Sequence, residues 1–153
     1  MSEIQVHPFY RIWFTWVDPI VLAATFIGIF IDPNLFMINF VPASISRADP
    51  NHAFLFHHIA VFYGFIGLMV GVLQRVSSDI RVWKIIQGSV LYVDIALIWV
   101  VYAGLKQQGR LHPDLMRAED WAGLLFTAWV AVIRIFFVAG VGVREVRGAK
   151  KRQ

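Results

Sequence analysis

The chain has 153 residues, of which 58% are hydrophobic and 16% charged, against the roughly 45–50% apolar and 25% charged residues of ordinary soluble domains. That balance points to one membrane-embedded domain over residues 1–153, and the absence of cysteine excludes a disulfide framework, a thiolate metal site and a Cys nucleophile. The net charge of +4 would suit a nucleic acid, but the basic residues gather at the ends of apolar segments, a pattern that orients membrane helices, so no nucleic-acid partner is expected.

The opening stretch MSEIQVHPFY lacks the basic region and small-residue cleavage site of a signal peptide, so the first apolar segment is expected to remain as an anchor. Four segments reach the ~20 apolar residues that a crossing requires, at about 9–31, 53–73, 83–105 and 121–143. The expected fold is therefore an all-α bundle of four transmembrane helices. In the first segment, Asp18-Pro19 has the form of a helix N-cap followed by Pro at the first helical position. The stretch from Pro19 to Ile31 alone is too short to cross, which favours one helix from about Phe9, kinked near Pro19. An interfacial helix followed by a short second piece is the alternative.

The connection 32–52 carries Asp32-Pro33, Val41-Pro42 and Asp49-Pro50, all turn-forming pairs. A short polar stretch, QRVSSDIR, separates the second and third spans, and Gly109 and Pro113 interrupt helix between the third and fourth. Arg11, Arg75, Arg81, Lys84, Arg144, Arg147, Lys150, Lys151 and Arg152 fall on one side, and Arg47, Lys106, Arg110 and Arg117 on the other. This excess places both termini in the cytosol. The closing Lys-Lys-Arg-Gln resembles a dilysine retrieval signal, which implies the endoplasmic reticulum membrane; read plainly, it is a basic tail at a membrane surface.

Three charges lie inside the spans. At a rise of 1.5 Å per residue, Asp94 falls about 16 Å, Asp18 about 13 Å and Arg134 about 14 Å from the cytosolic ends of their segments. His57 enters about 6 Å from the opposite end. Each uncompensated charge at a span's centre costs about 2.5–3.5 kcal/mol, so the three are expected to face inward and pair. Arg134 can bridge one carboxylate and still offer donors to another. Such a cluster can serve only to fix helix order, yet intramembrane ionisable residues are functional candidates by default.

His57 shares a helical face with Ala60, Gly64, Gly67 and Gly71, small residues suited to close packing, and is expected to point into the bundle. His58 is turned by about 100° from it. Adjacent histidines diverge on a helix, so neither a metal nor a cofactor is expected. Trp13, Trp83 and Trp121 stand at span ends, where an aromatic belt accounts for them. Trp16, Trp99 and Trp129 lie deeper and are candidates to line a substrate pocket.

The stretches HPFYRIWFTWVDP, DPNHAFLFH, RVWKIIQGSVLYVD and RAEDWAG resemble a fungal family of small four-helix membrane proteins of unknown function, over nearly the whole chain. The order of a first span, a long loop ending near DPNHAFLF, three more spans and a basic tail is similar to the emopamil-binding and sigma-2-receptor superfamily. That resemblance implies sterol binding or isomerisation by membrane-embedded acids, although Glu3, Glu119 and Glu145, the only glutamates, all lie outside mid-membrane positions. The Asp–Arg–Asp set is similar to the epoxide-opening constellation of the limonene-epoxide hydrolase type, and small fungal membrane cyclases and hydrolases also open epoxides with buried acids.

The expected activity is acid–base catalysis on a terpenoid, sterol or polyketide: epoxide opening, cyclisation or isomerisation. Asp94 would act as general acid or base, Asp18 as the complementary carboxyl, Arg134 as the orienting cation and His57 as a charge stabiliser or proton relay. The alternative is a non-catalytic protein that binds a sterol-like lipid or a membrane partner. Ion transport through four short spans would need a homo-oligomer.

Overall fold

Where the chain starts and stops its helices follows from a few polar side chains. The computed structural model describes residues 3–146, so the basic tail and its retrieval-like ending lie outside the described residues. Among the described residues four helices are long and apolar enough to cross a membrane: α1 (Pro8–Ile31), α3 (Pro50–Val76), α4 (Ile80–Gln107) and α5 (Ala118–Val138). A short helix, α2 (Pro33–Met37), follows α1. Strand β1 (Glu3–Val6) pairs antiparallel with β2 (Val143–Val146), bringing the two terminal segments together at one end of the bundle.

Aspartates set three of the starts by accepting an otherwise orphaned backbone N–H. Asp32 takes the N–H of Asn34 at 2.9 Å, Asp49 that of Asn51 at 2.9 Å, and Asp79 that of Arg81 at 2.8 Å. In the first two, Pro occupies the first helical position, where its missing N–H is harmless. Asp18-Pro19 has the same sequence form and a different outcome. Val17, Asp18 and Pro19 are all helical, so α1 runs through them and Asp18 is not a cap.

The passage through Pro19 has a structural cost that is met locally. Pro19 has no N–H to return to the carbonyl of Thr15. The turn before it, Trp13–Val17, widens into a π-helical segment, and Arg75 of α3 donates through Nη2 to the Thr15 carbonyl. A second π-helical segment, Met69–Leu73 in α3, packs opposite the first.

Helix α1 packs along α3, and α4 along α5. The stripe Gly64, Gly67 and Gly71 lets α1 and α3 approach, as the sequence spacing indicates. A Cβ placed at Gly64 would lie 3.0 Å from Phe26, one at Gly67 3.2 Å from Leu22, and one at Gly71 3.2 Å from Pro19. The two helix pairs are locked together near the terminal end by a buried, mostly aromatic cluster of Tyr10, Phe14, Trp83, Ile133 and Phe137. The outward faces are apolar, with Leu68, Tyr92 and Trp99 among the exposed residues, which suits helices surrounded by lipid.

Helix α1 matches its expected bounds to within a residue, α3 and α4 extend two or three residues past theirs at each end, and α5 starts three residues early and stops at Val138 instead of 143. There the backbone turns through Gly140 and Gly142, both at positive φ, to start β2. Gly142 → Ala should destabilise the folded protein by roughly 1–3 kcal/mol, because its Cβ would also lie 2.7 Å from the Tyr10 ring. Gly109 → Ala, strained at φ +67° but with open space around it, should lower the melting temperature in detergent less. Equal shifts would mean that the Tyr10 contact contributes nothing.

Candidate functional site

The fold gathers Asp18 from α1, Gln87 and Asp94 from α4, and Arg134 from α5 into one buried set. Gln87 and Asp94 are seven residues apart, two helical turns, and so share a face. Arg134, only 3% exposed, uses all three of its nitrogens. Nε donates to Gln87 Oε1 at 3.0 Å, Nη2 to Asp18 Oδ2 at 2.7 Å, and Nη1 to Asp94 Oδ2. One guanidinium therefore ties three helices, engaging a single oxygen of each carboxylate.

Its depth differs from the sequence-based estimate because α5 ends early. Arg134 stands only four residues before Val138, about 6 Å along the axis, and its long side chain carries the charge inward. Asp94 lies midway along the 28 residues of α4. Two carboxylates and one guanidinium sum to a single negative charge. One bound proton makes the set neutral, the state that an apolar surrounding favours. In that state the cluster holds one acid and one base side by side.

The surroundings are polar beyond these groups. Trp13 Nε1 and Gln87 Nε2 are buried without a protein hydrogen-bond partner. Buried polar groups of this kind demand a partner such as water or a polar ligand atom. The Asp94 side chain retains 11% of its surface, so the centre is not wholly sealed.

The other sequence candidates are placed elsewhere. His57 lies flat against Phe30, ring centroids 4.7 Å apart, twelve residues and about 18 Å along α1 from Asp18. His58 meets the Phe54 carbonyl through Nδ1 at 2.7 Å. Trp16, Trp99 and Trp129 are each more than half exposed on outward faces, and Trp16 stacks beneath the Arg75 guanidinium at 4.4 Å. Among the described residues no group of His, Asp and Glu is arranged to hold a metal ion.

A second polar centre escaped the sequence reading. Asp120, in the first turn of α5, accepts from Arg110 Nη1 and from Arg117 Nη2 at 3.0 Å. Its Oδ2 also takes the Arg117 backbone N–H at 2.8 Å, closing a capping box. Arg117 in turn donates to the Ile38 carbonyl at 3.0 Å, and Gln108 to the Phe40 carbonyl at 3.2 Å. This network fastens the 32–52 connection to the α4–α5 connection.

Two outcomes follow from these geometries. Arg134 → Gln should destabilise the protein by roughly 3–5 kcal/mol, since it leaves two buried carboxylates face to face. Asp94 → Asn leaves a balanced Asp18–Arg134 pair and should cost much less. Added to Arg134 → Gln it should recover part of the loss, which a double-mutant cycle in detergent measures; strict additivity would mean that the two side chains do not interact. Separately, Asp120 → Asn should speed amide exchange around Ile38–Phe40 and leave that of the terminal aromatic cluster unchanged.

No curated protein and no solved structure matches the chain significantly. A family model, that of the domain of unknown function DUF7704, covers residues 3–144. The chain, with its Asp18–Arg134–Asp94 tie inside four long apolar helices, belongs to the DUF7704 family.

Proposed function

We propose that the protein is a membrane-embedded acid–base enzyme for a lipophilic small molecule, a terpenoid, sterol or polyketide, and that Asp94, Asp18 and Arg134 form its catalytic set. The observation that carries this reading is the single-oxygen engagement of two carboxylates by one guanidinium. It leaves the second oxygen of each acid outside the Arg134 bridge. In a set that holds one proton, one carboxyl group donates and the other accepts.

For an epoxide substrate the balance is direct. The protonated carboxyl gives its proton to the epoxide oxygen as the C–O bond breaks. The ionised one takes a proton from the water that attacks carbon, or from the carbon that loses a proton on cyclisation. Arg134 keeps both acids in register and balances charge as the proton changes owner. Gln87 and Trp13 supply polar atoms beside the set for water or substrate oxygen. His57 lies too far along the bundle to relay this proton, so the proposal assigns it no chemical step.

The excess of basic residues near the termini supports cytosolic termini, and the Lys-Lys-Arg-Gln tail supports residence in the endoplasmic reticulum. A second reading, a non-catalytic lipid-binding protein, is favoured by the groove between α1 and α3 described below.

The test compares metabolites of cells carrying the native gene with those of cells carrying a folded Asp94 → Asn variant. Product should fall by about 10²-fold or more, the contribution of a positioned acid–base group, with an epoxide or uncyclised precursor accumulating. Full output from the folded variant would contradict a catalytic role for Asp94.

A further inference from the structure

A groove of about 570 Å³ runs between α1 and α3, within the roughly 300–1,000 Å³ typical of small-molecule sites. Its walls are almost entirely apolar, and Phe65 and Leu68, both more than half exposed, border it on the outer side. The groove therefore opens laterally. Along α3 it extends from Val61 to Arg75, fourteen residues or about 21 Å. Its one charged residue, Arg75, stands next to the end of α3 at Val76, the level at which a crossing helix meets head groups.

Arg75 is held in place but not neutralised. Nη1 donates to the Gly71 carbonyl at 3.1 Å, Nη2 donates to the Thr15 carbonyl, and the guanidinium lies over the Trp16 ring. All three partners are uncharged, and among the described residues no carboxylate pairs with Arg75. A guanidinium carries five N–H donors, so donors remain beyond the two used here. An apolar trough ending in a fixed, unpaired guanidinium at head-group level has the chemistry of an anionic amphiphile.

We propose that this groove is a binding site for an anionic phospholipid of the surrounding membrane, with an acyl chain along Ala23, Gly64 and Leu68 and the phosphate on Arg75. The inference does not depend on the chemistry assigned to Asp94. It gives Arg75 two roles: it satisfies the carbonyl that Pro19 leaves without a donor, and it presents its remaining N–H groups to phosphate in the forked geometry that phosphate accepts. The Trp16 ring beneath holds the plane of that fork.

The experiment is native mass spectrometry of the full chain released from membranes of equal phosphatidylglycerol and phosphatidylcholine content with identical acyl chains. The native protein should retain phosphatidylglycerol about fivefold over phosphatidylcholine, the preference expected of one basic residue near a surface. Arg75 → Gln should abolish the preference and still retain lipid. Ala23 → Trp, which fills an exposed part of the groove without touching any hydrogen bond of Arg75, should reduce retention of phosphatidylglycerol at least fivefold. If Arg75 → Gln does not fold, as judged by melting, the Ala23 → Trp result decides alone. Equal retention of the two lipids by the native protein, or unchanged phosphatidylglycerol retention in Ala23 → Trp, overturns the proposal.

Discussion

One guanidinium in an apolar interior determines much of this structure. Arg134 reaches Asp18, Gln87 and Asp94 at once, and so α1, α4 and α5 have one mutual arrangement in which no charge is left alone. In water such a tie would be screened and weak. Between helices in lipid the alternative is an unpaired charge in hydrocarbon, and the cost of that alternative enforces the geometry. The buried, mostly aromatic cluster of Tyr10, Phe14, Trp83, Ile133 and Phe137 then adds shape where the ion cluster supplies direction.

The same tie explains the course of α1. An Asp-Pro pair ordinarily starts a helix, as Asp32-Pro33 and Asp49-Pro50 do here. Asp18 is instead drawn to Arg134, and the helix continues through Pro19 by widening into a π-helical turn. Arg75 donates to the carbonyl that the proline leaves free. The ion cluster and the apolar groove meet α1 at two adjacent residues. Asp18 fixes the inward face, and Pro19 meets the glycine stripe of α3.

Much of this was legible in the sequence. Four apolar segments gave the number and order of the long helices, and three isolated charges in those segments named the residues that pair. The glycine spacing in α3 predicted close contact with a neighbour, which is α1. Other features depend on three-dimensional neighbours and left weaker signals. The pairing of β1 with β2 is short and irregular in pattern. Gln87 could have been found from its seven-residue offset to Asp94. Asp120 sits at a helix start, where an acid is common, so nothing local distinguished its grip on Arg110 and Arg117. His57 was expected to point into the bundle, and its ring lies against Phe30, a neighbour that only the packing of α1 on α3 supplies.

The central claim is that Arg134 contacts two carboxylates from different helices inside the bilayer. Solid-state NMR on the chain in lipid measures this directly, through dipolar dephasing between guanidinium ¹⁵N and aspartate carboxyl ¹³C. The account predicts strong dephasing of the Arg134 Nη signals, reduced by about half when either labelled Asp18 or labelled Asp94 is replaced by unlabelled Asn, since each Nη faces one carboxylate. Dephasing that survives both replacements, or that vanishes entirely on replacing one, would contradict a shared bridge.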